Sequence, residues 1–105
     1  MDEKVVNLIT EIKNVASLIL EKDISSVRGF SERQVEAIAK QTIIIQKGVE
    51  NGDIDKELKE FFLDGLEAMT TNFVNTLKGI LSATIETVWN AIIDVLWKVI
   101  DSTVK

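Results

Sequence analysis

The chain has no cysteine, no histidine, no tyrosine and no proline. Without cysteine there is no disulfide, no thiolate metal site and no cysteine nucleophile, and the redox compartment leaves no mark. Without histidine the commonest metal ligand and the commonest acid–base group are missing. Any chemistry falls to carboxylates, Lys, Arg, Ser and Thr. Without proline, and with only five scattered glycines, few positions force a helix to stop, so long helices are the default.

Other absences bound the partners. A duplex-binding protein needs a basic face to displace counterions. This chain has no basic run and carries a net charge of −5 with a pI near 4.7, so nucleic acid is not an expected partner. Within residues 73–100, the most apolar stretch, Lys78, Glu86, Asp94 and Lys98 interrupt any run approaching the ~18 residues of a membrane span. The start, Met1-Asp2-Glu3-Lys4, lacks the basic head and apolar block of a secretory signal. The expectation is a cytoplasmic protein.

What is present is an ordinary globular mixture: 105 residues, 46% hydrophobic and 28% charged, enough for one all-helical domain over residues 1–105 with a modest core. A first helix is expected at about 2–22, with Val5, Leu8, Ile9, Ile12, Val15, Ala16, Ile19 and Leu20 on one face. Leu18 is the misfit. Ser25, Ser26 and Gly29 mark the turn that follows. A second helix is expected at about 31–51. Ser31 is its N-cap, Gln34 completes a capping box, and Phe30 and Val35 form a hydrophobic staple. Gly52 closes it as a left-handed cap. These two helices make a hairpin.

Residues 53–104 form one nearly unbroken helical pattern holding both tryptophans and three of the four phenylalanines. Leu58, Phe62, Leu66, Met69, Phe73 and Leu77 follow one side. Gly65, Ala68, Asn72, Thr76, Gly79 and Ala83 form a ridge of small residues beside it, suited to a close helix neighbour. A continuous or merely kinked helix is the preferred expectation, although it would reach ~78 Å. The alternative is a break at Gly79 and a four-helix bundle, with Ser82 or Thr84 capping the last helix. Against the break, Ile80 and Leu81 are poor loop residues, and one interior glycine costs only ~1 kcal/mol.

Candidate sites are sparse. Glu57, Glu60, Asp64 and Glu67 line one flank, but carboxylate metal bundles also use histidine, so a solvated surface is expected. Asp53, Asp55 and Glu57 lack the spacing of a calcium loop. Ser25, Ser26, Ser31 and Thr84 have no base beside them in sequence. Lys22, Arg28, Arg33 and Lys40 are scattered surface charge rather than an anion site. No catalytic residue, metal or cofactor is expected.

Past Val88 the apolar surface encircles most of the last helix. Val88, Trp89, Ile92, Ile93, Leu96, Trp97 and Ile100 left in water would exceed the patch size that soluble monomers tolerate. With a continuous helix nothing in the same chain covers both tryptophans. These seven residues are therefore the expected interface of a homo-oligomer.

The strings Phe61-Phe62-Leu63-Asp64-Gly65-Leu66-Glu67, Asn72-Phe73-Val74-Asn75-Thr76-Leu77, Thr84-Ile85-Glu86 and Val88-Trp89-Asn90-Ala91 resemble small helical proteins encoded by phages and prophages. That resemblance implies a mobile-element origin and carries over no functional residue. The functional expectation is a non-enzymatic, self-associating interaction module. Two alternatives stay open. One is a protein lying on a membrane surface, since residues 77–104 are apolar and Trp-rich, although their charged residues, three acids and two bases, do not favour anionic lipid. The other is a phage-type protein that sequesters or inhibits a host protein.

Overall fold

A computed structural model describes residues 2–101. Among them the fold is all-α with four helices: α1 (Glu3–Leu20), α2 (Glu32–Glu50), α3 (Lys56–Thr76) and α4 (Ser82–Asp101), with a 3-10 turn at Ile24–Ser26 between α1 and α2.

Local chemistry sets the ends of α1 and α2 near the expected positions. Asp2 caps α1 by accepting the Lys4 backbone N–H at 2.8 Å. Glu21 ends it in the left-handed conformation at φ 57°, its N–H donating to the Ser17 carbonyl. Val5, Leu8, Ile12, Ala16 and Leu20 form its buried stripe, and Leu18 faces solvent. Ser31 caps α2 by accepting the Gln34 N–H at 3.3 Å. The capping box is only half made, however, because the Gln34 side-chain oxygen is buried without a partner. Phe30, just before the cap, sets its ring edge-on to Phe73 at 5.9 Å.

After α2 the chain folds back sharply. The Ile54 N–H reaches the Gly48 carbonyl at 3.0 Å. A Cβ at Gly48 would lie 2.4 Å from the Ile54 side chain, so glycine permits this close return. Asp55 then caps α3, accepting the Leu58 N–H at 2.8 Å.

The single long helix does not form. The segment ends as a helix at Thr76 and restarts at Ser82; positions 102–104 of the expected span lie outside the described residues. A rod of ~78 Å is also far longer than the molecule, whose longest dimension is 42 Å. Two contacts with the distant 27–30 loop fix the break. The Lys78 N–H, freed from the helical ladder, donates to the Arg28 carbonyl at 2.8 Å. Gly29 presses so closely on the last turn of α3 that a Cβ there would lie 1.8 Å from the Thr76 carbonyl oxygen. Gly79, at φ 75°, supplies the turn. The apolar linker residues are divided by burial: Leu77 inward, Ile80 half-buried, Leu81 exposed.

The break lets α4 fold back and become the central helix, touching α1, α2 and α3. α1 also packs on α2, and α2 on α3. Most of the core lies where α1, α2 and α4 meet the end of α3, around Ile12, Ile38, Phe73, Val88, Ile92 and Leu96. A smaller cluster of Ile45, Leu66 and Ile100 ties α2, α3 and α4 together, and Trp97 and Met69 touch both clusters. The buried hydroxyls of Thr42 and Thr70 donate to the Ile38 and Leu66 carbonyls one turn back, so neither is left unsatisfied. No helix among the described residues is long and apolar enough to cross a membrane.

Candidate functional site

The residues expected to form an oligomer interface lie in, or at the edge of, the chain's own core. Val88, Ile92, Ile93, Leu96 and Ile100 are buried, and Trp89 and Trp97 are half-buried. Trp89 borders the α3–α4 junction and donates its indole N–H to the Thr71 hydroxyl at 3.0 Å. Thus the premise behind that expectation does not hold. α4 is apolar on several sides because α1, α2 and α3 each cover one.

The polar candidates are engaged locally. The Ser25 hydroxyl donates to the Asp23 carboxylate at 2.7 Å, and that of Ser26 to the Asp23 carbonyl. The Ser25 hydroxyl and backbone N–H together hold the Asp23 carboxyl below its ordinary value. Asp55 serves as a helix cap. Among the described residues no cluster of acidic side chains is arranged to hold a metal ion. Lys22, Arg28, Arg33 and Lys40 are all exposed and sit on four successive parts of the chain, from the end of α1 to the middle of α2.

The ridge of small residues on α3 faces outward rather than toward a helix. Gly65, Ala68 and Asn72 are exposed, and a Cβ at Gly65 would meet nothing within 4 Å. On the same outer side lies a residue that the periodicity left unassigned. Phe61 is 69% exposed, beside Leu58 at 41%, while Ile44 on the outer ridge of neighbouring α2 is 60% exposed. Phe61 rests edge-on against Phe62 at 5.7 Å. Between the helices runs a groove of about 470 Å³ lined by Gln41, Phe61, Phe62, Asp64, Gly65 and Met69. Phe61 therefore stands exposed at an open groove spanning two helices, and a large apolar side chain gains ~1.5–3 kcal/mol on full burial. The signal available in sequence was the pair Phe61-Phe62: two adjacent helical positions lie about 100° apart, so a single covered stripe that takes Phe62 leaves Phe61 at its edge.

A second cleft, of about 410 Å³, opens where α3 meets α4 and is lined by Thr71, Asn75, Ile85, Glu86 and Trp89 among others. The remaining exposed large apolar residues, Val6, Leu18 and Leu81, belong to separate parts of the chain; Leu18 lines a cleft of about 690 Å³, but with the polar Asn14, Ser17 and Glu21 rather than with a second apolar group. Comparison with protein-family models, curated proteins and solved structures finds no match.

Proposed function

We propose that the protein is a non-enzymatic helical interaction module whose docking surface is the outer face of α2 and α3. The observation that carries this reading is the exposure of Phe61 at the α2–α3 groove, with Leu58 and Ile44 exposed on the same two helices. Contiguous apolar surface of this kind marks interaction sites more often than isolated exposed side chains do. The non-enzymatic part rests on the sequence, which has no His, Cys or Tyr. The docking surface replaces α4 as the place where a partner is met.

Replacing Phe61 and Ile44 together by serine tests the reading. Both side chains are exposed, so the fold is retained, with helical circular dichroism unchanged. Retention on a hydrophobic-interaction column and enhancement of an apolar fluorescent dye should both fall sharply. If both stay unchanged while Leu18→Ser or Leu81→Ser lowers them, the apolar surface that matters is elsewhere.

A further inference from the structure

We infer that the occupant of the α2–α3 face is a second copy of this chain, in a dimer whose two-fold axis runs parallel to the two helices. This inference rests on the docking reading above and adds the partner and its orientation.

Charge is distributed unevenly across the face. On α2, Lys40 and Lys47 stand one turn to either side of Ile44. They lean toward α1, since Lys47 Nζ pairs at 2.8 Å with Asp2, the cap of α1. On α3, Glu57 and Asp64 share a line with Thr71, at intervals of two turns, and Glu60 and Glu67 lie beside it. That line leans toward α4, because Thr71 accepts the Trp89 indole N–H. The apolar strip of Ile44, Phe61 and Gly65 thus has a mainly basic margin along one edge, where Glu36 precedes Lys40, and a mainly acidic margin along the other, where Lys56 precedes Glu60.

Two orientations are open to a symmetric pair of such faces. A two-fold axis perpendicular to the helices sets acidic margin on acidic margin and basic on basic. An axis parallel to the helices exchanges the edges, so each basic margin meets an acidic one. In that arrangement every residue also keeps its level along the helix. Gln41 shares the groove with Phe61 and Gly65, and α2 and α3 run antiparallel from the 51–55 loop. Ile44 therefore comes level with the partner's Phe61 and Gly65. Lys47, nearer the loop, faces the partner's Glu57 and Glu60, and Lys40 faces the partner's Asp64. The open space over Gly65 takes the Ile44 side chain. Like charges directly opposed act against a wrong orientation, and opposite charges fix the register.

The test is a charge swap between two exposed residues, Lys40 and Asp64. The wild-type protein is expected to sediment at twice the 11.7 kDa chain mass at micromolar concentration. Lys40→Glu alone and Asp64→Lys alone each set like charges against each other at both contacts. Each should weaken association about tenfold or more, with helical content unchanged. An equimolar mixture of the two variants restores both opposite-charge contacts and should recover the dimer as a heterodimer. Wild-type protein that is monomeric but still binds apolar dye through Phe61 and Ile44 overturns the dimer and leaves the docking reading standing. Monomeric protein whose dye binding ignores those residues sinks both. A dimer indifferent to the single reversals, or reversals that weaken it with no heterodimer on mixing, overturns the parallel two-fold arrangement.

Discussion

Gly29→Ala adds one methyl group at an exposed loop position, yet it should rank among the most damaging changes in the protein. Two effects add. Gly29 sits at φ 86°, where a side chain costs ~1–2 kcal/mol. The new Cβ would also fall 1.8 Å from the Thr76 carbonyl oxygen and 2.8 Å from its carbon. That neighbour is backbone in the last turn of α3 and has no rotamer to escape into. The loop must retreat, which stretches the bond from the Lys78 N–H to the Arg28 carbonyl, worth ~0.5–1.5 kcal/mol. It also loosens the edge-on contact of Phe30 with Phe73, worth ~0.5–1.5 kcal/mol. The expected total is about 2–5 kcal/mol, a large share of the ~5–15 kcal/mol that stabilises a typical domain. Urea unfolding followed by tryptophan fluorescence measures it. The control is Gly52→Ala, at φ 80° with nothing within 4 Å of the added atom, which incurs the dihedral penalty alone. If Gly29→Ala is no worse than Gly52→Ala, the loop does not press on α3, and the account of why the helix ends at Thr76 fails.

Two further outcomes follow from the core and from the caps. Leu96→Ala, at a fully buried site on α4, should cost ~2–5 kcal/mol, whereas Leu18→Ala on the exposed side of α1 should stay within ~0.5 kcal/mol; comparable losses would mean that α4 is not interior. Acid should also weaken the fold. The Lys47 ammonium and the Lys4 N–H hold the Asp2 carboxyl below its ordinary 3.8, and the Ser25 hydroxyl and N–H do the same for Asp23. A depressed carboxyl contributes stability that is complete above the unfolded value and is lost as pH falls through the lower folded value. Thermal midpoints should thus decline as pH drops below about 3.8, the ordinary aspartate value, and Asp2→Asn should lessen the decline; an equally steep fall in that variant would count against the assignment for Asp2.

The first half of the fold could be read from the sequence because its signals are local. Ser31 and Asp2 cap helices from adjacent positions, and the stripe from Val5 to Leu20 repeats every three or four residues. The break after Thr76 could not be read in the same way. Gly79 in a helix interior costs only ~1 kcal/mol, so local preference stays nearly balanced between bending and continuing. The balance is tipped by the Arg28 carbonyl and Gly29, some fifty residues upstream, where no periodicity in the long segment reports them. The expectation of an interface on α4 has the same root. An apolar circumference on α4 shows that something covers it, not whether the cover comes from its own chain or a second one. Once the break is known, α1, α2 and α3 supply the cover, and Trp89 and Trp97 need no second copy.

Gly65 and Phe61 then need a different account. A glycine inside a helix costs ~0.5–1 kcal/mol relative to alanine, and among the described residues no neighbour comes close enough to Gly65 to require its absent side chain. Phe61 leaves most of an aromatic ring in water and, apart from its edge contact with Phe62, contributes little to its own fold. Either alone would be an ordinary surface residue. They sit one turn apart on the same outward line of α3 and share one groove with Gln41 of α2, one turn from the exposed Ile44. A hollow and a projection on adjacent helices of one face are what a self-complementary contact requires, because each copy must offer both. The proposed dimer seats Ile44 over Gly65 and covers Phe61. The two features that are unfavourable in the isolated chain are therefore the two that the contact uses, and the charged margins decide which way round it forms.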